Sequence, residues 1–345
     1  MQTFTPDYLT DLTARILTAC DTPPDDARLV AELIVSANIK GLDSHGILRI
    51  PQYIKNIREG TIKPAAPIEI TKATSTTAML DANWNFGHLG ARRATQMAID
   101  KARAGGLGAV GLHRCIHVGC VGQYPEMAAA QQMVALAACS GAAPSGHWVA
   151  PGGGRQGRIG TNPVAMAAPT TGRPILVDLA TSTISEGKVR LYRDTGRRLP
   201  DQWLVDAAGR PTDDPHALYA EPPGAILPVG GKLAYKGYAF ALIAQVLSTI
   251  LTGSSLRHLA EESNNFWILA IDISSFMSPE DFAKDMDELI AYNKSAAPAQ
   301  GADAIIMPGE LDYATMDKRL SEGIPVDDEI WQQIQNVAAE LSVQV

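Results

Sequence analysis

Apolar residues in the first sixty positions recur at helical spacing. Leu9, Leu12, Ile16 and Leu17 fall on one face. Thr5-Pro6 opens that helix with proline at its first position, where the missing N–H costs nothing. Pro23-Pro24-Asp25 opens a second helix that runs through Leu29, Val30, Leu33 and Ile34. Gly41-Leu-Asp-Ser-His-Gly46 breaks the pattern ahead of a short helix. From about residue 66 short β-type runs take over, at 68–72, 78–81, 109–113, 134–139, 164–168 and 175–179. Helical stretches at 90–103 and 121–130 lie among them. The longest apolar stretch, 237–253, is too short to span a bilayer and carries Gln245, Ser248 and Thr249, so it reads as a buried helix. Ser278-Pro-Glu-Asp starts a helical tail that ends in a terminal helix at 326–341. The pattern predicts a mixed α/β (α+β) chain. Residues 67–278 form a sheet domain, and the helical ends, 1–66 and 279–345, pack together as a second.

Composition narrows the class without changing that picture. Of 345 residues, 46% are hydrophobic and 19% charged, which is ordinary for a globular chain and excludes disorder. The net charge is −8 and no run of Lys and Arg exists, so no nucleic-acid partner is expected. No membrane partner is expected either. The opening MQTFTPDYLTDLTARIL lacks a basic stretch followed by an apolar one; it does not read as a secretory signal, and a cytoplasmic location is expected. Cys20, Cys115, Cys120 and Cys139 make no disulfide framework in a chain of this size and read as reduced thiols.

One motif is set aside. Gly106-Leu-Gly108-Ala-Val-Gly111 matches G-x-G-x-x-G, but that fingerprint works only where a strand leads into the glycines and a helix follows. Here the helical stretch precedes and the strand follows, so the glycines read as a helix cap and a tight turn. A phosphate-binding P-loop is absent too: Gly187-Lys188 is followed by Val189.

Five constellations carry chemistry. In Asp43-Ser44-His45-Gly46-Ile-Leu-Arg49-Ile-Pro-Gln-Tyr53, a helical backbone puts His45, Arg49 and Tyr53 on one face at i, i+4 and i+8. Arginine can clamp a carboxylate through two parallel hydrogen bonds. Histidine, titrating near neutrality, can protonate an adjacent carbonyl oxygen. The plainer reading makes Ser44 a helix cap and Arg49 the partner of a nearby acid. His113-Arg-Cys115-Ile-His117-Val-Gly119-Cys120 lies where a strand ends and a helix begins, the place where α/β proteins put ligands. His113, Cys115 and His117 could bind zinc, with Cys120 closing the set. Alternatively Cys115 points into the core, His113 is structural and His117 is a second active-site imidazole.

Pro151-Gly152-Gly153-Gly154-Arg155 leads to Gly160-Thr161-Asn162-Pro163, where the Asn162 amide could read a carboxamide such as nicotinamide's, or the loop is flexible surface. Val177-Asp178-Leu179-Ala180-Thr181-Ser182 sets an acid after an apolar strand, able to orient a histidine. Its Thr-Ser pair stands at a helix start, either for phosphate or as a cap. Gly230-Gly231-Lys232-Leu-Ala-Tyr235-Lys236-Gly237 puts lysine near a helix N-terminus, which is unfavourable for the dipole unless an anion such as a cofactor phosphate binds there; otherwise it is a solvated loop.

Taken in order, these stretches resemble one family, the type-2 malate/L-lactate dehydrogenases, along nearly the whole chain. The matching residues are Ser44-His45-Gly46 with Arg49, His117-Val-Gly119, Gly160-Thr161-Asn162-Pro163, Asp178-Leu-Ala-Thr-Ser182, Gly187-Lys188, Lys236-Gly237 and Pro308-Gly309-Glu310. The resemblance implies hydride transfer between NAD or NADP and a small 2-oxo or 2-hydroxy acid. It implies a non-Rossmann cofactor-binding sheet domain and a homodimer with the active site near its interface. By position, His45 resembles the proton donor and acceptor and His117 a second histidine that some members use in that role; His117 or Asp178 is expected to tune or orient His45. Ser44, Arg49 and Tyr53 resemble substrate contacts. Asn162, Leu176, Val177, Asp178, Leu179, Ala180, Thr181, Tyr235, Lys236, Pro308, Gly309 and Glu310 are the expected surroundings of the cofactor. Two stretches depart from the family pattern: 143–154, with His147-Trp148 and three glycines, and 254–265. Rival readings are a reductase of a cyclic imine carboxylate, a zinc-dependent hydrolase built on His113, Cys115 and His117, and a non-catalytic binding protein.

Overall fold

The computed structural model describes residues 2–141, 146–254 and 263–345; the departing stretches 143–154 and 254–265 lie partly outside these. The chain-start helices form where the spacing predicts. In α1 (Pro6–Thr18) the Thr5 hydroxyl accepts from the Tyr8 amide, and Leu9, Leu12, Ile16 and Leu17 are buried. α2 (Pro24–Ile39) lies against α1, and α3 (Ile50–Arg58) follows. Their apolar faces share one core with the chain end: Trp331, Ile334 and Ala338 of α10 (Asp328–Glu340) join it. β1 (Gln2–Phe4) pairs antiparallel with β12 (Ile324–Val326). Of the rest of the tail, α8 (Pro279–Lys294) buries none of its residues, and α9 (Glu310–Glu322) leans on the sheet side through Tyr313.

The second core lies on a seven-stranded mixed sheet. Its strands are β2 (Glu69–Ala73), β3 (Thr77–Asp81), β4 (Leu107–Cys115), β5 (Met133–Gly141), β6 (Val164–Ala168), β7 (Ile175–Leu179) and β11 (Asn264–Asp272), in the order β2-β3-β4-β11-β5-β6-β7. Only β3–β4 is parallel. The sequence pattern predicts six of these seven. The one it omits, β11, is the centre, with Phe266, Ile268 and Ala270 fully buried at period-two spacing. α4 (Gly87–Gly105) lies close on β4 because its inner face is Ala91, Ala94, Ala98 and Ala102. α4 ends on Gly106 in the left-handed conformation (φ +81°), and β4 begins at once. The Gly106–Gly111 stretch is therefore a helix cap followed by a strand.

Between β7 and β11 lies a small subassembly: α6 (Glu186–Asp194) and a three-stranded sheet of β8 (Leu204–Val205), β9 (Pro211–Thr212) and β10 (Ala225–Ile226). They pack around Val189, Leu199, Leu204, Leu218 and Ile226. α7 (Ala234–Gln245) then runs on through a π-helical turn, Val246–Ile250. Two expectations for this stretch are corrected. The continuous helix Gly231–Ile250 has 20 residues and a mean hydropathy of 1.3, long and apolar enough to cross a membrane by length and composition alone. Nor is it buried: Tyr235, Phe240, Ile243, Val246, Ile250 and Leu251 are all more than half exposed. One flank packs on β5 and β11 while the opposite flank is equally apolar, so apolar content alone did not measure burial.

Phe266 meets Tyr124 edge-on, with centroids 5.0 Å apart, in the middle of the sheet core. Phe266→Ala is expected to lower stability by about 3–5 kcal/mol. Urea denaturation followed by circular dichroism checks this; an unchanged midpoint would contradict the central place given to β11.

Candidate active site

The segment from Asp43 to Tyr53 is not one helix, so the i, i+4, i+8 argument is corrected. Asp43–His45 and Ile47–Arg49 are separate 3₁₀ turns divided at an extended Gly46, and α3 begins only at Ile50. Asn38 holds this geometry: its side chain accepts from the Ile47 amide at 2.8 Å and donates to Asp43 at 2.7 Å. Arg319 of α9 fixes Asp43 from the other side through two hydrogen bonds of 2.6 and 2.9 Å. His45, Arg49 and Tyr53 still meet, because His117 comes to them from the end of β4.

The His45 and His117 rings stack with centroids 5.5 Å apart and planes 12° from parallel. Tyr53 Oη lies 2.6 Å from His117 Nδ1, and Ser44 Oγ lies 3.0 Å from His45 Nδ1. Ser44 caps no helix. Arg49 has no carboxylate partner among the described residues: its Nε donates to the Ser44 carbonyl and one terminal nitrogen to Gln52. Burial, with Arg49 and then Lys188 adding, pushes His45 down to about 4. Burial, Arg49 and the neighbouring imidazoles hold His117 well below the usual histidine value. Both rings are therefore neutral at pH 7. Burial raises Tyr53, so it stays a phenol.

Two adjoining cavities meet at Leu42. One, of about 260 Å³, is walled by His45, His117, Gly119, Asn162, Asp178 and Ala180. The other, of about 430 Å³, is walled by Ser44, Arg49, Lys188 and Arg190, with Asp43 and Asp194. Those two acids are already paired, with Arg319 and Arg193, and Arg190 is paired with Glu186. Arg49 and Lys188 carry no ion pair among the described residues, so positive charge is left uncompensated beside His45.

Asp178 is placed at the cavity, but the expectation that it orients a histidine is corrected. Its Oδ2 accepts from Cys120 Sγ at 3.0 Å and from the Gly122 amide at 2.8 Å, because the end of β7 faces the 119–122 turn. Burial raises its carboxyl above the usual range. Thr181 and Ser182 do not start a helix; α6 begins at Glu186. The Thr181 hydroxyl bonds the Thr161 and Asn162 carbonyls at 3.0 and 3.1 Å, and Ser182 bonds the Ile184 carbonyl at 2.9 Å. Asn162 donates from its side chain to the Ala241 carbonyl and to Gln245 of α7, while its buried Oδ1 has no partner among the described residues.

The remaining expected cofactor residues divide. The Leu176 amide donates to the Pro308 carbonyl at 3.3 Å and Gly309 rests on Leu176, so β7 with Val177 meets the loop before α9. Pro308 and Glu310 wall a third cavity, of about 510 Å³. Glu310 accepts from the Met307 amide and pairs with Lys294. Leu179, Tyr235 and Lys236 are exposed and wall none of the three cavities. The zinc constellation is dispersed: His113 faces Asp81 at 3.6 Å, Cys115 Sγ donates to the Asn264 carbonyl at 3.1 Å, and His117 is bonded to Tyr53. Among the described residues no group of three His, Cys, Asp or Glu could hold a metal. Two residues at the site went unassigned on sequence: Lys188, whose charge becomes visible only beside Arg49, and His88, which reaches Tyr53 and His117 across the fold.

A family model described as malate/L-lactate dehydrogenase matches residues 4–335. The chain belongs to the malate/L-lactate dehydrogenase family. It is 34% identical over 336 residues to the L-sulfolactate dehydrogenase of Methanothermobacter thermautotrophicus, covering 95% of this chain and 94% of that one. It is 33% identical over 347 residues to the malate dehydrogenase of Pyrococcus abyssi, with coverage of 98% and 94%. A crystal structure of malate dehydrogenase from Entamoeba histolytica superposes with a TM-score of 0.94 at 26% identity, covering 100% of this chain and 99% of that one. This family member is accordingly a hydroxy-acid oxidoreductase. A nicotinamide group fits the smaller cavity on one observation: the orphaned Asn162 Oδ1 on its wall is an acceptor suited to a carboxamide N–H.

The depressed histidines fix the sign of a pH effect. The unfolded chain's histidines protonate near the ordinary value of 6.5, whereas folded His45 does so at about 4 and His88 at about 3. Their contribution to stability is whole above pH 6.5 and is lost as pH falls toward 4 and below. Urea midpoints are expected to fall across that window, less steeply in His88→Gln. A slope identical in wild type and variant would sink the assignment of a buried neutral His88.

Proposed function

We propose that the protein interconverts a small 2-oxo acid and its 2-hydroxy acid with NAD or NADP. The observation that carries this is the meeting of two stacked, neutral histidines with the uncompensated cations Arg49 and Lys188. Arg49 keeps one terminal nitrogen, Nη2, free of hydrogen bonds among the described residues, and it binds the substrate carboxylate. That contact delivers the neighbouring carbon to the two-histidine wall. A nicotinamide held at the smaller cavity would supply the hydride to that carbon or take it away. In oxidation the neutral His45 accepts the hydroxyl proton; in reduction the protonated ring returns it. A carboxylate beside Arg49 and Lys188 cancels part of the field that holds His45 down, so substrate binding raises its proton affinity. Ser44 holds His45 by Nδ1 and Tyr53 holds His117 by Nδ1, which leaves Nε2 of each ring for proton exchange.

The cofactor, on this reading, lies outside any glycine fingerprint, along 176–181 and 308–310; the Leu176–Pro308 contact and the helix-to-strand order at Gly106 support that. Two copies associate through the apolar flank of α7, where Tyr235 is 60% and Phe240 58% exposed. Four free, buried thiols support a cytoplasmic location.

Thermal shift with NADH and NADPH separately names the cofactor. A panel of 2-oxo acids and cyclic imine acids, followed by loss of reduced nicotinamide, names the substrate. His45→Ala is expected to lower kcat by about 10²–10⁴-fold, the scale of losing a general acid or base. Arg49→Ala is expected to act mainly on KM. Wild-type protein that binds neither nucleotide and reduces no 2-oxo acid would overturn the reading. For association, Phe240→Glu is expected to convert dimer to monomer by light scattering; a monomeric wild type would remove that part.

A further inference from the structure

His88 stands behind the two-histidine wall and lines neither cavity. It sits in the first turn of α4, fully buried, and among the described residues neither ring nitrogen has a hydrogen-bond partner. Its ring centroid lies 5.8 Å from Tyr53, at 77°, and 6.2 Å from His117, at 74°. Tyr53 and His117 are themselves 6.1 Å apart. The three rings make a closed triangle, with the Tyr53–His117 hydrogen bond along one side and His88 bracing the other two. Gly119, which lines the cavity, lies against the same imidazole in a left-handed conformation (φ +76°). A Cβ there would stand 2.5 Å from His88 Nε2 and 3.3 Å from Gln123 Nε2, so only glycine lets both side chains approach. The nearby Tyr124 hydroxyl donates to the Val118 carbonyl.

An imidazole with both nitrogens unpaired is costly to bury, and an apolar side chain of similar size would fill the space without that cost. Such a group in a native structure calls for an explanation, and a role at the adjoining site supplies one. Burial, with His45 adding, holds His88 near 3, so at working pH it is a fixed neutral dipole. When the His45–His117 pair carries the substrate's proton, that dipole faces the new charge without having to reorganise. Edge-to-face contact with His117 also fixes the plane of the ring that stacks on His45.

We propose that His88 is a positioning residue for the proton-carrying histidine pair: it locks His117 in the triangle with Tyr53, and its polar ring steadies the charged form. This rests on the 2-oxo acid reading. The test compares wild type, His88→Phe and His88→Gln by kcat, KM and the pH profile of kcat. In His88→Phe, kcat is expected to fall about 10–100-fold, the scale of losing a supporting partner behind a functional group. KM should stay within about twofold, because the acid clamp is untouched, and the acid limb of the profile should move. His88→Gln should restore most of kcat and return the limb toward wild type. A Phe variant with wild-type kcat and pH profile overturns the proposal. So do Phe and Gln variants equally impaired with an unmoved profile, since shape alone would then matter. If His88→Phe does not fold, His88→Ala with added free imidazole takes its place: recovery of kcat supports the proposal and no recovery overturns it. Wild type inactive on every 2-oxo and 2-hydroxy acid would fault the reading of function instead. The His117 ring titration followed by NMR then still decides, its midpoint moving in His88→Phe if the coupling exists and holding still if it does not.

Discussion

The 2.6 Å hydrogen bond between Tyr53 and His117 joins the two halves of the molecule at the place where the site forms. Tyr53 belongs to α3 and the core shared by both chain ends; His117 follows β4 of the sheet. Neither half holds the site alone. Ser44, His45 and Arg49 come from the helical side, Asn162 and Asp178 from the sheet side, and Lys188 from α6. Other contacts hold the two halves in that relation. Lys40, at the end of α2, pairs with Glu126 of the short helix α5 (Gln123–Ala129), which also accepts from Tyr313 of α9. Phe86, Leu89 and Ile116 reach from the sheet side into the helical core.

Burial is the second constraint, and it acts against the first. Three imidazoles and a phenol packed together would be stable at low cost if they were apolar. They stay neutral because the enclosing protein disfavours charge, and Arg49 and Lys188 add to that for His45. Neutral rings can stack and can meet edge to face without repulsion. A single fixed positive charge on any of the three would penalise the other two. The geometry of the site and the protonation state of its histidines are thus one property.

The parts of this arrangement legible in sequence were those set by local rules. α1 and α2 announce themselves through proline at the first turn and apolar residues at helical spacing. The Gly106 pattern could be rejected because strand and helix stood in the wrong order. His45, Arg49 and Tyr53 were grouped on a helical spacing the backbone does not have; they meet because Asn38 and Arg319 fold the segment into two 3₁₀ turns and His117 arrives from β4. Asp178 was recognised by residue type, but its partner, Cys120, is 58 positions away and no local signal pairs them. β11 was hidden for a similar reason: a central strand owes its place to β4 and β5, both more than a hundred residues earlier. His88 has no signal at all along the chain, since Tyr53, His117 and Gly119 surround it only after folding.

Charge gives the last step. The chain carries −8 overall, so its average field repels an anionic substrate and an anionic cofactor alike. At physiological ionic strength that field is screened within about 8 Å. What an incoming acid meets at the cavity is the local excess from Arg49 and Lys188, whose neighbouring acids are engaged elsewhere. The same two cations suppress the charge on His45. On the proposed reading, binding of a carboxylate and protonation of His45 therefore assist each other, and linkage requires the assistance to be equal in both directions. A histidine that is neutral in the empty site and able to take up a proton in the filled one needs no separate switch; on that reading the substrate's own acid group sets it.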